Sequence, residues 1–466
     1  MNRVMRDLSY VLSTNMIDLI VGILIGLIIP AVISVNEYAV FRTFTLYLPY
    51  VAILNFGFND GIYMKYGNLN FCELPIRTFR MYTRHIILME MLLGVLFLIV
   101  ALSFINRCED NIIIAVCLAL NVFILNVSSY MNFINQFTCR FKFNLINNSI
   151  SKLLQVITIS VCIIFSLDKA YYFIFIITFT NLIYLLCNSY QNNSIISFKG
   201  HIFNKKSIIR RCYQSGLPIM LGYQASLLIM SLGQFVVRHN FSSQIFAYYT
   251  FSFSIMAFVN VFVNAISTWV FPYLKRLDST KLEKVFTNLG LMVVLFVGMA
   301  LSTGFIVEII IKRYLVKYLA TLPYLEIMYP IVLVNSLVKI VEVNAFKIYK
   351  KEKEYMWVNI VVFLVAVIGN LALIESVQNP FWVAVLSVFI IIIYLVSMVF
   401  ELRKDISLNG QFRNIAYMLI IIANYYFVVF RYSELEGFSM YFLTNLIFVA
   451  IILLNNKREG NIPWKF

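Results

Sequence analysis

The sequence predicts an all-α polytopic membrane protein with about fourteen transmembrane helices, and two observations carry this prediction. Hydrophobic residues make up 61% of the 466 residues and charged residues only 13%, whereas a soluble domain has about 25% charged residues. The apolar residues form continuous runs of about 20 residues, the length of a membrane-spanning helix. Because lipid cannot hydrogen-bond to the backbone, each of these spans is expected to be helical.

Fourteen apolar segments account for most of the chain. They lie near 8–33, 38–59, 81–105, 111–135, 147–166, 170–190, 213–236, 245–273, 286–311, 320–345, 356–374, 380–401, 413–430 and 438–455. With a cytoplasmic N-terminus, 27 of the 37 Lys and Arg residues fall in cytoplasmic loops, seven in outside loops and three within segments. Because loops rich in Lys and Arg stay in the cytoplasm, this bias supports the count and predicts that both termini are cytoplasmic.

The chain also carries a faint internal repeat with an offset of 208 residues, which aligns Ala39 with Ala247 and Phe41 with Tyr249. The two matches begin six segments apart, so the halves would run parallel, as in transporters whose substrate site lies between two repeats. The predicted organisation is an N-terminal lobe at 1–190, a cytoplasmic linker at 191–212, a C-terminal lobe at 213–402, and two further helices with a cytoplasmic tail at 403–466.

Several classes of function are disfavoured by composition and motifs. The net charge of +15 is explained by basic cytoplasmic loops, so no nucleic-acid partner is predicted. The seven cysteines are scattered and the three histidines lie far apart, so no metal or cofactor is predicted. The sequence has no Walker A loop, dinucleotide-binding loop or G-x-S-x-G motif. Together with the short outside loops, these observations favour a transporter over an enzyme.

Charges inside the first two segments predict a polar pathway, because a charge at mid-membrane costs about 2.5–3.5 kcal/mol and normally faces protein or water. Asp18 shares one helical face with Gly22 and Gly26, which either line a cavity or pack closely against another helix. Arg42 carries a guanidinium suited to phosphate. Its position near the outer end also allows it to reach the lipid headgroups instead.

Later segments carry further polar candidates. Lys152 lies near the cytoplasmic end of the fifth segment, where it either lines a cavity or reaches the headgroups. Asn260 and Asn264 share a face of the eighth segment, and their amides suit either sugar hydroxyls or bonds between helices. Lys339 and Glu342 are three residues apart, which predicts an ion pair along one helix.

Two acidic residues have no partner at helical spacing. Glu90 lies in the third segment and Glu326 in the tenth. Either residue is a candidate for carrying a coupling proton, since intramembrane carboxylates commonly mark proton pathways.

The first hairpin also carries a recurring motif. Its residues are Gly22, Gly26 and Pro30, then Glu37-Tyr38-Ala39, then Gly57-Phe58-Asn59-Asp60-Gly61-Ile62, and then Tyr66-Gly67. This pattern resembles the opening of Wzx-type bacterial oligosaccharide flippases, within the multidrug/oligosaccharidyl-lipid/polysaccharide exporter superfamily. The resemblance marks Asp60 and Gly61 as motif positions. Gly57 and Gly61 would permit a tight turn, and Asp60 would either cap the next helical turn or lock an inner gate.

The resemblance implies a flippase of the bacterial cytoplasmic membrane that acts by alternating access. Its substrate would be a polyprenyl-pyrophosphate-linked oligosaccharide repeat unit for surface polysaccharide such as O-antigen, with Arg42 and Lys152 binding the pyrophosphate. Implied partners are membrane lipid, a polysaccharide polymerase and other glycan-assembly proteins.

Two other functions stay open. An ion-coupled multidrug exporter on the same scaffold predicts that Asp18, Glu90 or Glu326 is essential and that Arg42 is dispensable. A membrane enzyme of glycan assembly, such as a polymerase, predicts essential residues on the outside loops.

Overall fold

A computed structural model describes residues 3–67, 69–104, 108–196, 206–274, 277 and 279–458. Within these ranges all regular secondary structure is helical. Among the described residues, twelve helices are long and apolar enough to cross a membrane, and two bent helix pairs bring the number to as many as fourteen. The predicted all-α polytopic fold with about fourteen spans is confirmed.

The chain divides into two compact units, Met1–Gln224 and Ala225–Phe466. The division falls inside one long helix, α9 (Lys206–Asn240). The segment 191–212, predicted as a linker, contains the end of one helix, a single turn at Asn193–Ile196 and the start of α9. Residues 197–205 of that segment lie outside the described residues.

The first unit is a helical bundle in which two of the helices each pack along two neighbours. Its helices before α9 are α1 (Arg3–Val32), α2 (Val35–Tyr47), α3 (Phe58–Tyr66), α4 (Ile76–Phe104), α5 (Glu109–Phe137), α6 (Phe141–Ile164), α7 (Ala170–Gln191) and the one-turn α8 (Asn193–Ile196). Helix α5 packs against α4 and α7, and α6 packs against α1 and α7.

The second span of the first unit is broken. Helix α2 continues as a 3-10 helix over Leu48–Asn55, and α3 then departs at an angle of 59°. Pro49 lies at the start of the 3-10 helix, where it removes a backbone donor. At the break, Phe56 has a φ of 48° and Gly57 a φ of 77°, in the left-handed region that favours glycine. The Gly57 N–H donates to Asn55 Oδ1 at 2.8 Å, which closes the turn.

The second unit also contains a broken span. Its helices after α9 are α10 (Ser243–Leu274), α11 (Ser279–Ala300), α12 (Thr303–Tyr314), α13 (Leu322–Met328), α14 (Ile331–Leu337), α15 (Val343–Ile348), α16 (Glu352–Val377), α17 (Pro380–Glu401), α18 (Leu408–Val429) and α19 (Glu434–Arg458). The span formed by α13–α15 bends by 44° just before α14, where Pro330 interrupts the backbone hydrogen bonds. A π-helix, Val338–Glu342, joins α14 to α15.

Candidate functional site

Asp18 of α1 is held by a side chain of α6. Its Oδ1 accepts a hydrogen bond from Asn148 Nδ2 at 3.0 Å, and both side chains are half-buried. Gly22 lies one turn further along the same face, and a Cβ atom added there would meet no heavy atom within 4 Å. Open space therefore lies beside α1 at Gly22, which argues against close helix packing at this position; the cavity role of Asp18 stays a prediction.

Lys152 lies one turn from Asn148 on α6. Its Nζ donates to Gln155 Oε1 of the same helix at 3.3 Å, and the side chain is half-buried. Within the described residues neither Lys152 nor Asp18 belongs to an ion pair. Asn148, Lys152 and Gln155 share one face of α6, because they recur at helical spacing. This face carries the Lys152 ammonium and also binds the Asp18 carboxylate through the Asn148 amide.

Arg42 lies on the less buried side of α2. Its neighbours Ala39, Phe41 and Thr43 are at most 6% exposed, whereas Arg42 itself is half-buried. The Arg42 carbonyl accepts a hydrogen bond from Thr45 Oγ1 at 3.2 Å. The two residues are three apart and share this partly accessible face.

In the second unit, Asn260 and Asn264 belong to a polar ladder between α10 and the broken span. Asn335 Nδ2 donates to Asn260 Oδ1, and one turn along Lys339 Nζ donates to Asn264 Oδ1 at 3.1 Å. A third rung joins Asn344 Nδ2 to Ser267 Oγ at 3.1 Å. Asn260 thus connects α10 to α14 through Asn335, whereas Asn264 is exposed and lies beside the Lys339 ammonium.

The predicted ion pair between Lys339 and Glu342 is wrong. Lys339 bonds to Asn264, whereas Glu342 is 2% exposed and lines a cavity with residues of α11, α17 and α18. The reason is the π-helix, whose turns are wider than those of an α-helix. Residues three apart therefore do not share a face here, while residues five apart, such as Lys339 and Asn344, do.

The motif glycines Gly57 and Gly61 lie against α9. A Cβ atom on Gly61 would fall 1.9 Å from the carbonyl oxygen of Cys212, and one on Gly57 would fall 2.4 Å from the carbonyl carbon of Gly216. Helices α3 and α9 thus cross with backbone against backbone, which requires small residues. Gly57 forms the predicted turn, but Gly61 lies inside α3 and serves this crossing rather than a turn.

Asp60 and Glu37, the acidic residues of the motif, lie near helix N-termini. Asp60 occupies the first turn of α3, where the helix dipole favours a carboxylate; its gating role stays a prediction. Glu37 accepts hydrogen bonds from the Ala170 backbone N–H at 2.7 Å and from Lys169 Nζ at 3.0 Å. The Glu37 carboxylate raises the pKa of Lys169 and joins α2 to the start of α7.

Glu90 is fully buried in the first unit. Its Oε2 accepts a hydrogen bond from Asn126 Nδ2 at 2.8 Å, and the same amide donates to the Val51 carbonyl at 3.1 Å. Asn59 Nδ2 donates to the Asn126 carbonyl at 3.2 Å. Glu90 therefore belongs to a network that holds α4 and α5 against both sides of the broken second span.

Glu326 lies on α13, half-buried, among other charges of the second unit. Glu308, Lys312 and Glu434 all lie within electrostatic range of it. Lys312 bonds to Glu308 at 2.8 Å and also to Glu434. The surroundings of Glu326 are therefore acidic overall, and the structure does not bring it near Asn260 or Asn264 through any hydrogen bond between described residues.

Sequence reasoning did not predict which residues pair in these sites. Asn148, Asn335 and Lys339 are the direct partners of Asp18, Asn260 and Asn264, and each lies in another segment of the chain. In the sequence, these residues can be recognised only by their helical spacing on polar faces. That spacing does not indicate which faces meet in the folded protein. The cavity at Glu342 was also missed, because the π-helix that turns this carboxylate away from Lys339 leaves no mark in the sequence.

Comparison with known proteins identifies the fold. No protein-family model matches the sequence, and no curated protein matches it. Among solved structures, the chain is similar to the lipid II flippase MurJ in an inward closed conformation, with a TM-score of 0.66, 15% identity and coverage of 97% of this chain and 99% of that chain.

Two transporter structures are also similar. An outward-facing multidrug resistance MATE family transporter of the MOP superfamily has a TM-score of 0.58 and 13% identity over 88% of this chain and 96% of that chain. A MATE structure in the straight conformation has a TM-score of 0.54 and 15% identity over 89% and 96%. The chain therefore has the fold of MurJ and MATE transporters, which both belong to the MOP superfamily.

Proposed function

We propose that the protein is a flippase that moves polyprenyl-pyrophosphate-linked oligosaccharide repeat units across the bacterial cytoplasmic membrane by alternating access. The observation that carries the proposal is the likeness to a lipid II flippase along almost the whole of both chains. The two MATE structures match 88% and 89% of this chain with lower TM-scores, so the likeness favours the flippase over a drug transporter.

The physical task is to carry a charged, hydroxylated headgroup through hydrocarbon, which it cannot cross unaided. Arg42 and Lys152 are the proposed pyrophosphate ligands, because each is a cation on a partly accessible helical face. Lys152 has only the neutral Gln155 amide as a described partner, so its charge is available to an anion. Asn264 and Lys339 offer an amide and an ammonium side by side for sugar hydroxyls or phosphate.

A deletion strain complemented with variants tests this function. Loss of the protein should cause full-length undecaprenyl-linked repeat units to accumulate on the cytoplasmic face, with loss of surface glycan. Arg42→Ala and Lys152→Ala should each reduce export at least about tenfold, since a charge-assisted hydrogen bond contributes about 1.5–3 kcal/mol. Matched controls are Arg403→Ala and Lys142→Ala, which remove exposed cations from the 3-10 turn after α17 and from the first turn of α6. Full export by Arg42→Ala at normal membrane levels would remove Arg42 from the site.

The second candidate is an ion-coupled multidrug exporter, favoured by the MATE likeness and by the half-buried carboxylate of Asp18, which belongs to no ion pair among the described residues. It predicts that lipid-linked intermediates stay normal in the deletion strain while drug sensitivity rises. Under this function Asp18→Asn would abolish resistance and Arg42→Ala would leave it intact. Neither candidate is an enzyme.

A further inference from the structure

Glu90 of α4 and Asn126 of α5 leave two oxygen atoms unpaired in the interior of the first unit. Both side chains are at most 1% exposed, and Asn126 Nδ2 donates to Glu90 Oε2 at 2.8 Å. The second oxygen of each group, Glu90 Oε1 and Asn126 Oδ1, is buried without a hydrogen-bond partner among the described residues. An amide oxygen and a carboxylate oxygen can only accept, so neither atom can satisfy the other while Glu90 is ionised.

Turning the amides over does not supply the missing donor. The Asn126 nitrogen lies against two acceptors, Glu90 Oε2 and the Val51 carbonyl at 3.1 Å, so exchanging its nitrogen and oxygen would bring oxygen against oxygen at both. The Asn59 amide is fixed in the same way, because its nitrogen donates to the Asn126 carbonyl at 3.2 Å. Asn59 Oδ1 is also buried without a partner among the described residues. This network therefore has a surplus of acceptors.

The surroundings of Glu90 also lack a positive charge to balance a carboxylate. Within the described residues Glu90 belongs to no ion pair, and its described hydrogen bond comes from a neutral amide. Burying an unpaired carboxylate costs far more than burying the neutral acid, so such a group binds a proton instead. A protonated carboxyl carries one O–H donor, which is the donor that this network lacks.

We propose that Glu90 is protonated in the folded protein and donates a hydrogen bond from Oε1 to Asn126 Oδ1. Together with the bond from Asn126 Nδ2 to Glu90 Oε2, this bond closes a ring of two hydrogen bonds between a carboxylic acid and a carboxamide. Both groups are planar, and each offers one donor and one acceptor to the other. The proton comes from water, and only hydrogen bonds change around it. This protonation state does not rest on the proposed function.

The acid–amide pair lies where it positions the break in the second span. Asn126 Nδ2 also donates to the carbonyl of Val51, in the 3-10 helix before the break. The Asn126 carbonyl accepts from Asn59, in α3 after the break. By fixing the orientation of the Asn126 side chain, Glu90 therefore helps to fix both sides of the break. Glu90 is thus a positioning residue that acts through Asn126, and its proton stays bound during transport.

Thermal unfolding of the purified full-length protein tests this pair through two variants. Glu90→Gln copies the neutral acid, because its amide can accept from Asn126 Nδ2 and donate to Asn126 Oδ1. Its Tm should lie within about 1 °C of the wild-type Tm or above it. An ionised Glu90 would instead lose a charge-assisted bond in this variant, and the Tm would fall by several degrees. Glu90→Leu leaves the Asn126 amide unpaired and should lower the Tm by at least about 2 °C.

Infrared spectroscopy at neutral pH detects the proton itself, because a protonated carboxyl absorbs at a higher frequency than a carboxylate. Wild type should show a protonated-carboxyl band that Glu90→Gln lacks. Glu109→Gln, which removes an exposed carboxyl from the first turn of α5, should keep this band.

Three results would overturn the acid–amide pair. The first is the absence of a band that depends on Glu90, and the second is a Glu90→Gln protein that unfolds as readily as Glu90→Leu. The third is a Glu90→Gln protein that melts like wild type but no longer exports lipid-linked sugar, because the proton would then have to leave during transport. A wild type that shows the band without flipping lipid-linked sugars would leave the pair standing and overturn the proposed function.

Discussion

At the scale of single residues, several amides inside the spans bind one another. Asn147 and Gln191 exchange two hydrogen bonds, at 2.8 and 2.7 Å, between α6 and α7, and Asn181 donates to Asn121 at 2.9 Å between α7 and α5. Such bonds contribute about 0.6 kcal/mol each on average in membranes, so these residues serve to align helices. Asp18 differs, because it is a half-buried carboxylate whose one described hydrogen bond comes from a neutral amide.

Two variants of Asp18 test its charge and its hydrogen bond to Asn148 separately. Asp18→Asn keeps an oxygen acceptor but loses the charge, so a flippase of an anionic headgroup should retain at least about half of its export. Asp18→Leu loses the acceptor and leaves the Asn148 amide unpaired, which costs about 1–3 kcal/mol, so export or protein level should fall about tenfold. Export of lipid-linked sugar, normalised to membrane protein level, measures both. A dead Asp18→Asn would contradict this and favour the drug exporter.

At the scale of elements, the two broken spans use different devices. The first breaks at Phe56 and Gly57 and is fixed by the crossing of α3 with α9. The second bends at Pro330 and then contains a π-helix. Segment length and charge pattern predicted where these spans lie, because bilayer thickness and loop charge act locally in the sequence. They could not predict that Gly61 meets Cys212, since partners 151 residues apart leave no periodic signal.

The crossing of α3 and α9 predicts a stability difference between glycines. Gly61→Ala places a methyl group 1.9 Å from the Cys212 carbonyl oxygen, and overpacking of this kind costs about 1–3 kcal/mol. Gly57→Ala should destabilise the fold by about a further 1–2 kcal/mol, because alanine is strained in the left-handed backbone conformation that Gly57 adopts. Gly22→Ala is the matched control, because its Cβ meets open space and alanine favours a helix.

Thermal unfolding in detergent measures these three variants. The Tm should fall by several degrees for Gly57→Ala and Gly61→Ala and should stay the same or rise for Gly22→Ala. Equal Tm values for Gly61→Ala and Gly22→Ala would mean that α3 and α9 do not cross in backbone contact.

At the scale of the whole molecule, each unit has its own internal framework. The aligned residues of the predicted repeat, Ala39 with Ala247 and Phe41 with Tyr249, are all at most 3% exposed. The equivalence of the two halves stays a prediction, because burial alone does not establish a repeat. Substrate identity is beyond sequence reasoning for a different reason: the proposed ligands come from several segments, and the sequence does not indicate how their faces meet.

The last two helices, α18 and α19, belong to the framework of the second unit. Tyr426 OH donates to the Ile327 carbonyl at 2.7 Å, Tyr441 OH to the Gly298 carbonyl at 2.8 Å, and Asn414 Nδ2 to the Thr287 carbonyl at 2.8 Å. Each bond satisfies a backbone carbonyl of α11 or α13 inside the bundle. Removing the two helices would therefore expose polar backbone groups and a large apolar surface together.

Truncation after Leu402 tests this dependence. We expect the shortened protein, extracted from membranes, to lose its single sharp peak in size-exclusion chromatography or to unfold at least about 10 °C below the full chain, since about three buried hydrogen bonds and the packing of both helices are lost. A shorter truncation that removes only residues 459–466 leaves all the described contacts intact and serves as the control. If truncation after Leu402 eluted and melted like the full chain, α18 and α19 would be an appendage, and any loss of export would then report a direct role in handling the lipid-linked substrate.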